Sequence, residues 1–154
     1  MLPIAPLLLV VAMAGPGADP DGAGPDPAIA ADNAHSARQV ADRIRGRENE
    51  PAATVFRNVR LEWMRTVPAG TFLDIMEGGY ARALGVRCTH CHVEGDFASD
   101  EKRPKQAARE MAVMHYDINQ KLLAMRHLRG SGDERFINCS TCHRGAVDPH
   151  DPVP

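Results

Sequence analysis

Aromatic residues are scarce in this chain, only 5% of 154. Phe, Tyr and Trp supply the largest single burials, so a core built from protein alone would be thin. Charge of one sign is not in excess. Eighteen Lys and Arg face 20 Asp and Glu, a formal net charge of −2, which removes the basic stripe that nucleic acid requires. No apolar run approaches the roughly 20 residues of a membrane span. Leu7–Ala14 is apolar over eight residues. It ends in Ala12-Met13-Ala14, a small-x-small pattern that predicts a secretory signal peptide over 1–14, although no Lys or Arg precedes Arg38. Residues 15–33, GPGADPDGAGPDPAIAADN, hold little to bury and read as a flexible linker. The folded domain is expected over 34–147, followed by a frayed Pro-rich tail at 148–154.

Cysteine is also sparse, and all four residues fall in two places. Cys88-Thr89-His90-Cys91-His92 and Cys139-Ser140-Thr141-Cys142-His143 are both C-x-x-C-H, the signature of covalent c-type haem attachment. Two thiols one helical turn apart can each add to a haem vinyl group, and the adjacent His lies under the iron. A zinc site of four cysteines would also use two C-x-x-C pairs. Here the pairs lie 51 residues apart, against the usual spacing of about 15–20. Neither zinc nor two disulfides explains a His directly after each pair. The pattern therefore predicts two haems c, held by Cys88, Cys91, Cys139 and Cys142, with His92 and His143 as proximal iron ligands. Two such macrocycles would also fill out the thin core.

Candidates for the opposite face of each iron are Met and His. A helix is expected from Phe72 to about Leu84, with Thr71 as N-cap and Gly85 beyond its end. Met76 lies inside it, 12 residues before Cys88, placed to fold back over the first haem. Gly78-Gly79 suggests close approach of a flat group. A longer helix is expected from Pro104 to about His127, with Met111, His115, Ile118, Leu122 and Met125 on one face. Met111, Met114, Met125, His115 and His127 are all candidates for the second haem, and spacing does not choose among them. Glu94, Asp96, Asp100 and Glu101 read as a solvated loop of mixed charge or as a docking face for a basic carrier.

Several stretches resemble the cytochrome c subunit of photosynthetic reaction centres, and more closely the two-haem proteins related to half of that four-haem subunit. They are Val55-Phe56-Arg57-Asn58-Val59, Pro68-Ala69-Gly70, Leu84-Gly85-Val86, Cys88–Asp100, Arg109-Glu110-Met111, Asp117-Ile118-Asn119 and Cys139–Gly145. The resemblance implies a mainly α dihaem c-type cytochrome, with two helix–CxxCH haem units about a local pseudo-twofold and a short strand or hairpin near Val55–Leu61. It implies Met76 as distal ligand of the first iron and Met111 of the second, with Met114 the sideways alternative. The Leu128–Ile137 segment is longer than the family pattern, which keeps Met125 and His127 open.

Iron capped on both faces binds no substrate. The expected function is therefore electron transfer, not enzyme catalysis, and the signal peptide puts the protein in the periplasm or another extracytoplasmic space. Its partners would be redox proteins, a membrane oxidoreductase complex among them, with no nucleic acid and no small-molecule substrate. The rivals are a two-haem peroxidase with one open iron and a module that stacks haem to haem.

Overall fold

A computed structural model describes residues 26–128 and 136–150. The expected signal peptide, most of the linker and the end of the Pro-rich tail lie outside these residues. The described architecture is helical: α1 Pro27–Arg43, α2 Ala52–Val55, α3 Glu62–Arg65, α4 Ala69–Asp74, a π-helical segment Ile75–Ala81, α5 Arg82–Leu84, α6 Cys88–Cys91, α7 Arg103–Ala124, a 3-10 turn Arg126–Leu128 and α8 Cys139–His143. No described helix is long and apolar enough to cross a membrane.

The first helix corrects the expected linker, because it begins at Pro27. Asp26 caps it, its side chain accepting from Ala28 N at 2.7 Å, and Pro27 occupies the first turn. Both are start signals that composition alone hides. Tertiary bonds then hold the helix. Buried Asn33 donates from Nδ2 to Val86 O (2.9 Å) and accepts from Cys88 N (2.9 Å), and Asp32 pairs with Arg87 at 2.6 Å. Thus α1 clamps the entrance to the first C-x-x-C-H.

The expected helix at 72–84 exists but starts earlier, and Thr71 is not its cap. Its first N–H groups are taken by a neighbouring stretch of backbone: Ala69 N donates to Glu50 O (2.8 Å) and Gly70 N to Glu48 O (2.9 Å). This satisfies the orphan donors of a helix start without a side chain. The helix widens to π geometry across Met76, Gly78 and Gly79 and closes at Gly85, which is left-handed as expected (φ +64°). Gly78 faces open space, and Gly79 lies only against Ile75 of its own helix.

The strand or hairpin expected near Val55–Leu61 is not formed. Among the described residues there are only two isolated bridges, Pro51 with Pro68 and Val93 with Asp96. Asn58 interrupts the segment with a positive φ of 66°, which breaks strand geometry. The helix expected at 104–127 runs over Arg103–Ala124. Its buried residues are Lys105, Ala112 and Asn119, spaced by seven, so the inward face is one position away from the expected Met111 stripe.

The core is as thin as the composition implies. Its buried apolar residues are Ile44, Ala52, Val59, Met64, Ala69, Ala81, Ala83 and Ala112, most of them alanine, and no large described side chain is fully buried.

Candidate functional site

The helices leave between them a cavity of about 510 Å³, in the range of cofactor sites. Cys88, Cys91, His92, Met76 and Tyr80 all line it. The π segment brings Met76 and Tyr80 in from one side, and α6 brings both cysteines from the other. His92, directly after α6, donates from Nδ1 to Phe97 O at 2.9 Å, and its ring lies 5.2 Å from that of Phe97. A carbonyl can only accept, so Nδ1 carries the proton and Nε2 keeps a free lone pair. Burial pushes the pKa of His92 down, against a smaller upward pull from Phe97 O. A tethered Nδ1 and an available Nε2 describe a metal-ligating imidazole.

The second motif repeats this arrangement. Asn138 caps α8: Thr141 N donates to its Oδ1 (3.1 Å), while Asn138 N donates to Thr141 Oγ1 (3.1 Å). His143 donates from Nδ1 to Ala146 O at 3.1 Å. None of the four cysteines is in a disulfide. Among the described residues no three His, Cys, Asp or Glu side chains converge, so the cysteine pairs do not form one zinc centre. Burial raises the thiol pKa of Cys88, Cys91 and Cys139. At the first motif the cavity, two thiols free of disulfides and a tethered imidazole fit a covalently held macrocycle; the second motif repeats the thiols and the tethered imidazole.

Tyr80 lines the cavity and lies near one cysteine of each motif. Burial, then the proximity of Cys139 and Cys91, pushes its phenol up to about 12. The segment after the second motif docks on the end of α5, where Gly145 N donates to Ala83 O at 2.8 Å.

The family model described as "Photosynthetic reaction centre cytochrome C subunit" matches residues 19–152. The chain belongs to this family. It is 34% identical over 110 residues to the photosynthetic reaction center cytochrome c subunit of Rubrivivax gelatinosus, covering 60% of this chain and 30% of that one. It is 38% identical over 65 residues to cytochrome c-554 of Chloroflexus aurantiacus, covering 42% of this chain and 15% of that one. The chain thus spans less than a third of the length of these curated relatives.

In this reaction-centre cytochrome relative, the distal candidates of the second motif are less enclosed. Met111, Met114 and Met125 lie on the outer part of α7 and just past its end, 39%, 46% and 48% exposed, and none lines the cavity around the first motif. His127 is exposed in the 3-10 turn. His115 has another role. Its Nε2 lies 2.7 Å from Ile137 O, while Asn119 donates to that oxygen (3.1 Å) and accepts from Ile137 N (2.9 Å). The same Nε2 also lies 2.9 Å from Asn119 Nδ2, so His115 is engaged by both partners, and the pair anchors the approach to Cys139. Sequence reasoning missed Asn33 and Asn119 as the residues that seat the two motifs. The signal available was their position on the inner helix faces.

The acidic segment is also internal in part. Asp100 accepts from Asn58 Nδ2 (2.7 Å) and Arg109 Nη1 (2.8 Å) and pairs with Arg60 at 2.9 Å. Partial burial opposes its charge, but these hydrogen bonds and the fields of Arg109 and Arg60 hold its pKa down at about 2. A depressed folded pKa stabilises above the unfolded value, about 3.9, and that contribution is lost as pH falls through the folded one. The stability gap between the native protein and Asp100→Asn should therefore be constant near neutrality and narrow between about pH 4 and 2. Urea titrations across that range test this. A gap that does not narrow would show that the carboxylate is not held by these partners.

Proposed function

We propose that this chain is an electron carrier holding two haems c. One is joined to Cys88 and Cys91, with His92 and Met76 as axial ligands. The other is joined to Cys139 and Cys142, with His143 and Met111 as axial ligands. The carrying observation is that each C-x-x-C-H ends in the same device, an imidazole whose Nδ1 is tied to a backbone carbonyl while Nε2 is left available. A haem c supplies one-electron exchange between ferric and ferrous iron.

The chain's residues supply the rest. The cysteines hold each group at a fixed place, Asn33 and Asn119 set the two attachment helices, and Tyr80 supplies a buried ring near Cys91 and Cys139. Methionine opposite histidine favours the ferrous form, so the carrier works at moderately high potential. The two sites form two helix–haem units about a local pseudo-twofold. The apolar run ending at Ala14 supports export to the periplasm, where redox proteins, or a membrane oxidoreductase complex, would be the electron donor and acceptor.

The test is expression with a cytochrome c maturation system, followed by intact mass and a pyridine haemochrome assay. Two haems per chain are expected, and one after Cys88→Ala with Cys91→Ala. Two haems persisting in that double variant would refute the assignment. Turnover of hydrogen peroxide by the native protein would move the reading to a peroxidase.

A further inference from the structure

The carbonyl that holds His92 is shared. Phe97 O accepts His92 Nδ1 at 2.9 Å and also Lys105 Nζ at 2.8 Å. Lys105 is only 9% exposed, on the inner face of α7, and it lines the same cavity as His92. A second carbonyl, Ser99 O, accepts from its Nζ at 2.6 Å. Asp100 pairs with it but is shared. That carboxylate lies 3.6 Å from Lys105 but is closer to Arg109 (2.8 Å) and Arg60 (2.9 Å). Three cations thus share one carboxylate, with Asp96 also near Lys105, and a buried ammonium stands behind the imidazole. Among the described residues, no lysine or arginine is seen hydrogen-bonded to Ala146 O, the carbonyl that holds His143.

We propose that Lys105 is a positioning residue that tunes the first haem by withdrawing acceptor strength from Phe97 O, and that it sets this haem's potential above the second. The proposal rests on the reading of His92 as an iron ligand. An imidazole N–H bonded to a strong acceptor becomes a better electron donor to its metal. A cation on the same oxygen weakens that acceptor, so His92 donates less and ferric iron is less favoured. The buried ammonium's own field acts in the same direction, weakly screened by solvent. Both effects raise the potential.

The experiment is a redox titration of the two-haem protein that resolves both components, in the native chain, Lys105→Met and Lys105→Arg. Methionine keeps the length of the side chain and removes charge and donor. It should shift one component toward the oxidised form by roughly tenfold, which corresponds to about 59 mV for one electron, and leave the other in place. Arginine keeps the charge and the donors and should hold the native value. No shift in Lys105→Met, or an equal shift of both haems, overturns the proposal.

If the methionine variant does not mature, the native ferrous protein decides. In nitrogen-labelled protein, the His92 Hδ1 proton should resonate upfield of that of His143, because its acceptor is shared, and the reverse order overturns the proposal. His92→Ala separates the two readings. It should cost the first haem its attachment or its low-spin spectrum. If it costs neither, His92 is not the ligand and the tuning falls with it. If it does and Lys105→Met is silent, the ligand stands and only the tuning is wrong.

Discussion

Met76→Ala should open one of the two irons to carbon monoxide while leaving both haems covalently attached. Met76 lines the cavity with Cys88, Cys91 and His92, and alanine at that place has no donor atom to offer. The weak far-red absorption of a ferric iron–thioether bond should fall by about half if both distal ligands are Met. The opened haem should also move to lower potential, because a neutral soft ligand that favours ferrous iron has been removed. The visible spectrum with and without carbon monoxide is the measurement. Two six-coordinate haems in Met76→Ala would sink the assignment. The same assay chooses the second ligand. Met111→Ala should open the other iron, whereas an effect confined to Met114→Ala, Met125→Ala or His127→Ala would move the ligand there.

Among the described glycines, Gly85→Ala should be the most destabilising substitution. Gly85 is left-handed at φ +64°, which costs an L side chain about 1–2 kcal/mol. An added Cβ would also lie 2.9 Å from the Gly145 carbonyl carbon and nearer still to its oxygen, backbone atoms that cannot rotate away. Relieving the clash requires the segment after the second motif to lift, breaking the Gly145 N to Ala83 O bond, worth about 1 kcal/mol. Together these make a loss of about 2–4 kcal/mol. Gly46→Ala is the control. It has φ +82° and nothing within 4 Å of the added Cβ, so it should cost the backbone strain alone. Denaturant midpoints of both variants measure the difference. Equal costs would show that the two attachment segments do not meet at Gly85.

The distinction between these two sites runs through the whole molecule. What the amino-acid sequence determined by itself is local chemistry. Two C-x-x-C-H motifs are readable because thioether attachment demands fixed spacing within one helical turn. Gly85 is readable as a helix end because only a residue without Cβ accepts that backbone freely. The thin core follows from composition, because too few large side chains exist to fill it.

What only the tertiary structure decided is every choice among equivalent side chains. Pro27–Ile44 folds onto the first motif because Asn33 finds Val86 and Cys88, contacts 53 and 55 residues away that no local pattern contains. The inner face of α7 carries Lys105, Ala112 and Asn119 rather than the methionines. Two of those three are polar, and they are stabilised inside by backbone carbonyls of other segments, so hydropathy points to the wrong stripe. Asp100 reads as one more acidic loop residue until Asn58, Arg60 and Arg109 close around it. In each case the deciding partner is distant in sequence. Hydrogen-bond geometry, fixed only when the elements pack, selects which polar side chain is buried and what it serves.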